Sequence, residues 1–226
     1  MMKIIDLTVQ LYEGLQSFPA HPKVTIIDFV THSFSASRYL PPAKGFASKM
    51  ILMSDHSGTH LDAPFHFVED GKTIDEVDLD TTFGEAVLID ISAKPVEQPI
   101  TVDILKKRLK ETGEDIKKGD IVIIRAWPGE WNEPGFHQAA GLDEEAAKWL
   151  SSKGIKSVGL DLANADTTSD MRRPAHMELL GKDIGIMENI ANLDQLSKTR
   201  FFFMGIPLKV KGLTGSPIRA VAVEEW

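Results

Sequence analysis

Residues Thr101–Trp127 read "TVDILKKRLKETGEDIKKGDIVIIRAW", and two different patterns follow one another in this stretch. Leu105 and Leu109 lie four apart, which places them on one face of a helix, and "KKRLK" supplies its solvated side. Thr101 offers an N-cap hydroxyl, Asp103 falls in the positive first turn, and Gly113 suits the left-handed residue that ends a helix. The apolar run "DIVIIRAW" then reads as a buried strand. The scheme repeats in "LDEEAAKWLSSKG", with Asp143 as N-cap, Glu144 and Glu145 in the first turn and Gly154 after the last. The short strand "KSVGLDL" follows it. Helix and strand in alternation predict an α/β fold with partly parallel strands, in which ligands gather at the carboxyl ends of the strands.

Outward from this region the chain changes character. The first half is β-rich: "KIIDL", "VTIIDFV", "FASKMILM" and "AVLIDIS" are strand candidates, with a proline-containing connection at 18–22. Towards the end come a short helix around Asn192–Leu196, the strand "RFFFMGI" and a last strand near "IRAVAV". No linker-like segment separates the halves, so residues 1–226 are expected to form one domain.

The formal net charge of −8 argues against nucleic acid as a partner, since that affinity rests on Lys and Arg neutralising phosphates. There is no cysteine, so any metal must be held by nitrogen and oxygen ligands. Asp6 interrupts the start too early for a signal peptide, and "FFFMGIPL" is far too short to span a membrane. A cytoplasmic protein acting on a small molecule, away from membranes, is the expectation. No phosphate-binding glycine loop, dinucleotide fingerprint or serine nucleophile elbow is present.

Chemistry concentrates in "DHSGTHLDAPFHF", Asp55–Phe67, which holds His56, His60, Asp62 and His66. A helical zinc-protease reading fails, because Ser57 stands where the general-base Glu would be, Gly58 weakens a helix and Pro64 breaks it. In an extended chain His60 and Asp62 point to the same side, and a turn at Gly58 brings His56 round to meet them. Two imidazoles and a carboxylate with an open position suit a catalytic ion. Asp55 reads as a local loop-stabilising residue. The segment "WPGEW", Trp127–Trp131, follows a predicted strand and serves equally well as pocket wall or core.

The stretch "HSGTHLDAPFHF" resembles the signature of the cyclase or kynurenine formamidase family, written roughly H-x-G-T-H-x-D-x-P-x-H. "KIIDLT", "SFPAHP", the "PAH" ending at His176 and "IPLKVKGLTGSPIRAV" extend the resemblance over most of the chain. The resemblance implies a swivelling β/β/α fold, assembly as a homodimer or larger homo-oligomer, and His56, His60 and Asp62 as ligands of a first divalent ion. Zn2+ is expected ahead of Mn2+, as one ion or two. Asp62 would bridge to a second ion held by His176 and Glu188, and His66 would be the catalytic acid/base. Taken alone, His176 reads as a loop histidine and Glu188 as an acid at a helix start; Glu178 is a nearby competitor.

The implied reaction is hydrolysis of an aryl formamide such as N-formylkynurenine, a kynurenine-pathway step in tryptophan catabolism, by metal-activated water. A cyclic amide such as isatin would use the same machinery, a ring-closing cyclase is a third reading, and a non-catalytic metal-binding protein a fourth. Phe18, where relatives often carry Trp, and "DLANAD" (161–166), where formamidase-like relatives often carry D-T-P-S, are departures at the expected pocket.

Overall fold

The computed structural model describes residues 2–225. In chain order the main elements are β1 (Lys3–Asp6), β2 (Thr25–Val30), α1 (His32–Ser35), β3 (Ser48–Leu52), β4 (His60–Asp62) and β5 (Phe83–Asp90). They are followed by α2 (Val102–Thr112), β6 (Ile121–Arg125), α3 (Glu144–Ser152), β7 (Ser157–Leu160) and α4 (Pro174–Leu180). β8 (Gly185–Glu188), β9 (Arg200–Met204), β10 (Gly215–Pro217) and β11 (Val221–Glu224) complete the set.

Nine strands form one mixed sheet in the order β1-β11-β9-β5-β6-β7-β8-β4-β10. Its centre, β5-β6-β7-β8, is parallel, and α2, α3 and α4 are the crossovers between successive strands. Both longer helices begin as their sequences predict: Ile104 N–H donates to the Thr101 hydroxyl, and Ala146 N–H to the Asp143 carboxylate. Gly113 closes α2 at φ 72°.

The central strands are apolar on both faces because each face meets a different layer. Val87, Ile89, Val122, Ile124, Val158 and Leu160 pack with Leu105, Leu109, Leu150 and Leu179 of the helices. Ala86, Leu88, Ile121 and Ile123 point the other way, into a core closed by Leu61, Met187, Phe201 and Phe203 from the sheet's own flanking strands. This is the α/β architecture expected, a large curled sheet with its helices on one face. The predicted strands "VTIIDFV" and "FASKMILM" form, but they pair with each other as a separate two-stranded ribbon.

Two local expectations are corrected. His176 lies inside α4 rather than in a loop, and Glu188 ends β8 rather than starting a helix. Four-residue apolar runs do not distinguish strand from helix by periodicity; here parallel pairing with β7 and antiparallel pairing with β4 decide the conformation. Pro64 also does more than exclude an α-helix, since it opens the 3-10 turn Pro64–His66 that carries His66.

Candidate metal centre

The sheet register builds the site. His60 lies directly opposite Glu188 across the β4–β8 pair, and Asp62 opposite Ile186. Leu61 and Met187 face the core away from the helices, so the alternation of a strand turns His60, Asp62 and Glu188 towards the helix side. The β7–α4 crossover brings His176 to the same place, its Nε2 lying 3.5 Å from Asp62 Oδ2 and 3.4 Å from Glu188 Oε1. His56 arrives through the turn at Gly58, whose φ is +64°; a Cβ there would stand 2.7 Å from Leu11 Cδ2. The left-handed backbone favours glycine at that position, and the Leu11 side chain would have to shift for any larger residue.

Each imidazole is held by one nitrogen and offers the other. His60 Nδ1–H donates to the Gly58 carbonyl at 2.9 Å, leaving Nε2 3.3 Å from Asp62 and 3.6 Å from Glu188. His176 Nδ1–H donates to Asp166 at 2.5 Å, leaving its Nε2 for the cluster. The Thr214 hydroxyl donates to Asp55 at 2.8 Å, so its oxygen accepts from His56 Nε2–H, also at 2.8 Å, and His56 Nδ1 faces Asp62 at 2.7 Å. This arrangement, with the outer nitrogen tied to a carboxylate, carbonyl or hydroxyl, is the one that orients metal-ligating histidines.

Burial works against charge at every one of these groups, and the neighbours decide the outcome. At His60 the Asp62 and Glu188 carboxylates outweigh burial and push the imidazole up to about 9. His176 is likewise driven well above the usual histidine range, despite burial, by Asp166, Asp62 and Glu188. Asp62 is held well below the usual carboxylate range because His56 and His60 outweigh its burial. His66 goes the other way: burial, joined by the nearby His56, His176 and His60 imidazoles, lowers it to about 4 against the pull of Asp62. His66 is thus a neutral imidazole at pH 7, able to accept a proton.

The donor set fits a divalent cation. Among the described residues, His56, Asp62 and His66 form one group, and His60, Asp62 and Glu188 another, with the offered atoms of each within 4.8 Å of one another. Asp62 belongs to both, and its Oδ2 is a buried oxygen without a hydrogen-bond partner. With only His176 Nε2 facing it at 3.5 Å, this fully buried carboxylate oxygen is one that a cation would complete. This partition differs from the one the resemblance implies, because His56 groups with His66 rather than with His60. All six residues singled out in the sequence nevertheless converge on one small volume. Glu178 stays apart, engaged by Ser151 and Lys182.

The centre opens into a cavity of about 180 Å³, lined by Phe18, His21, Phe67, Asn164 and Arg173 together with four of the cluster's histidines and Glu188. A wider cleft of about 960 Å³ lies beside it, against Trp127, Trp131 and Asp161. The buried Asp161 carboxylate there, raised to about 7 by burial, accepts the Ala126 and Trp127 N–H groups and anchors the loop after β6. Trp127 is core and Trp131 packs against that core, and both also border the wider cleft, so both readings of "WPGEW" apply.

Sequence reasoning missed Asp166, which lies ten residues before the histidine it orients. Asp55 is more than a local stabiliser, since it holds Thr214 through both N–H and hydroxyl across 159 positions.

With this geometry in view, the comparisons with known proteins fall into place. The family model described as "Putative cyclase" matches residues 5–167. The chain belongs to this family. It is 32% identical over 179 residues to a kynurenine formamidase from Bacillus cytotoxicus, covering 76% of this chain and 77% of that one. A kynurenine formamidase from Bacillus mycoides is 34% identical over 173 residues, with the same coverage. Isatin hydrolase A from Labrenzia aggregata, solved bound to benzyl benzoate, superposes with a TM-score of 0.83 at 26% identity, over 98% of this chain and 93% of that one. A structure described as a potential metal-dependent hydrolase with cyclase activity superposes with a TM-score of 0.79 at 26% identity, covering 100% of both chains. The cyclase-family match spans β1 to the loop that carries Asp166, and so includes the whole His56–His66 segment.

Proposed function

We propose that the protein is a metal-dependent hydrolase that cleaves the amide C–N bond of a small aryl formamide. The observation that carries this reading is the Asp62 carboxylate, shared by two His/carboxylate groups with one oxygen lacking a hydrogen-bond partner, buried behind the cluster's four histidines and Glu188, which line a cavity of small-molecule size. The kynurenine formamidase relatives support the substrate class. His56, His60, Asp62, His176 and Glu188 would hold one or two divalent ions, Zn2+ ahead of Mn2+. Such an ion supplies Lewis acidity and brings the pKa of water from about 15.7 towards ~7.

The chain's own residues do the rest. His66, kept neutral by burial, takes the proton of the attacking water and returns it to the departing amine nitrogen. Phe67 packs against His176, with ring centroids 4.6 Å apart, and with Phe18 gives the cavity an aromatic wall on which an aryl group stacks. A cyclic amide of the isatin type is the second reading, favoured by the isatin hydrolase structures among the matches.

The test is elemental analysis of the purified protein with an assay on aryl formamides and cyclic imides. Metal-dependent release of formate, or of a ring-opened acid, is expected, lost on chelation and restored by Zn2+ or Mn2+. Metal-loaded protein that turns over none of these substrates would refute the reading.

Self-assembly and a cytoplasmic location belong to the same proposal. The β2–β3 ribbon exposes Ile27, Phe29, Met50, Ile51 and Leu52, a run of apolar side chains of the kind that marks a contact surface. A second copy covers it, and Phe29→Asp should shift the sedimenting species to monomer. Among the described residues no helix is long and apolar enough to cross a membrane.

A further inference from the structure

Two arginines stand side by side before α4, and they are treated differently. Arg172 reaches outward: its Nε and Nη2 donate to Asp170 at 3.0 and 2.7 Å, and it lies 3.5 Å from Glu144. Arg173 turns inward and lines the cavity of the metal centre. Its Nη1 is buried and has no hydrogen-bond partner, and it forms no ion pair with a described residue, although Asp170 senses its charge.

A guanidinium carries five N–H donors and stays charged, so leaving one buried and unpaired is costly unless a ligand accepts from it. The position is costly for the backbone too. Arg173 sits at φ 51°, ψ 52°, the left-handed region that side-chain-bearing residues avoid. Helix capping does not explain it. The first N–H groups of α4 are satisfied by Asp166, which accepts from Ala175 at 2.7 Å and His176 at 3.3 Å, and the Arg173 side chain makes no cap bond. His176 stands three positions on, in the first turn of the helix that Arg173 precedes, and both residues line the cavity. Glu188, the carboxylate that lines the cavity, accepts from the Ala165 N–H and makes no ion pair with Arg173. A second buried polar atom without a partner, His21 Nδ1, lies in the same cavity.

We propose that Arg173 forms an anion-binding subsite in this cavity and selects substrates that carry a carboxylate on the aryl ring beside the scissile amide. The proposal deepens the hydrolase reading above and rests on it for the word substrate. The planar fork of the guanidinium matches a carboxylate through paired N–H···O bonds, which a lysine offers only as a point charge.

The test compares 2-formamidobenzoate with formanilide, which lacks only the carboxylate, on wild type, Arg173→Gly and Arg173→Lys. Glycine removes the guanidinium and accepts the left-handed backbone, so the variant is expected to fold, which a melting curve verifies. Binding of 2-aminobenzoate to the protein as purified is followed by calorimetry alongside. In Arg173→Gly the kcat/KM preference for the carboxylate substrate should fall about 10- to 100-fold, through KM, and 2-aminobenzoate affinity should fall with it. Arg173→Lys should recover part of both. An unchanged preference and unchanged binding in Arg173→Gly would overturn the subsite. If wild type hydrolyses both amides without preference, the subsite falls and the hydrolase reading stands. If it hydrolyses neither yet binds 2-aminobenzoate through Arg173, the hydrolase reading falls and the subsite stands.

Discussion

Replacing Asp166 by Asn separates charge from shape at the residue that orients His176. The wild-type carboxylate is fully buried and accepts three bonds: from Ala175 N–H at Oδ1, and from His176 N–H and Nδ1–H at Oδ2. An Asn amide fits the same space but turns an NH2 towards donors whichever way it is flipped. One flip strands the Ala175 N–H, the other strands both His176 donors. Converting a charge-assisted bond to a neutral one, and leaving a buried donor unpaired, each costs about 1–2 kcal/mol, so the sum is roughly 2–4 kcal/mol. For a chain of this length that corresponds to a fall in Tm of about 4–16 °C. His176 would also lose the anchor that points Nε2 at Asp62 and Glu188, and loss of such an anchor lowers metal affinity about 10- to 100-fold. Thermal melting with and without chelator, and competition with a chromophoric chelator, read the two effects separately. If Asp166→Asn melts and binds metal like wild type, the orienting role given to this carboxylate is wrong.

Three further outcomes follow from the same geometry. His66→Ala should keep its metal content and lose turnover by about 10²- to 10⁴-fold; loss of the ion as well would make His66 a ligand, as its grouping with His56 and Asp62 permits. Gly215→Ala should weaken metal binding and cost roughly 1–3 kcal/mol, because the new Cβ would meet His56 Cε1 at 2.7 Å and the Leu61 carbonyl at 2.9 Å; an unshifted melting curve would contradict this. Glu224 is held down to about 2 from 4.5, since Lys3, the Ser197 hydroxyl and two backbone N–H groups outweigh its burial. A depressed folded pKa means stability present above pH 4.5 and lost as pH falls towards 2, about 3 kcal/mol in all. Glu224→Gln should therefore melt lower at pH 7 and show a flatter acid limb than wild type.

The parts of this fold that were legible are those whose cause is local. Thr101, Asp143 and Gly113 bound the two longer helices through neighbours three to five residues away, and the central strands declare themselves by unbroken apolar runs. The pairing of His60 with Asp62 was legible for the same reason, being a matter of strand alternation. What stayed hidden depends on distant partners. β8 is a strand because β7 and β4 flank it, and α4 begins without a side-chain cap because Asp166, eight residues before Pro174, does the capping. Thr214 and Asp55 look like ordinary loop residues until the fold sets one against the other beside His56. His176 and Glu188 were reached only through family resemblance, and the register that puts Glu188 opposite His60 supplies the physical reason.

His60 and Asp62 sit in β4, a three-residue strand bonded to β8 on one side and to the edge strand β10 on the other. An ion held by these residues would have its capture and release coupled to opening of this margin of the sheet. Pulling β10 away removes the brace beside Asp62 and withdraws Thr214 from His56 in the same movement. A cation that binds only the closed margin suppresses that opening by mass action. Amide exchange along β4 and β10, followed with and without added Zn2+, would then report how long an ion stays.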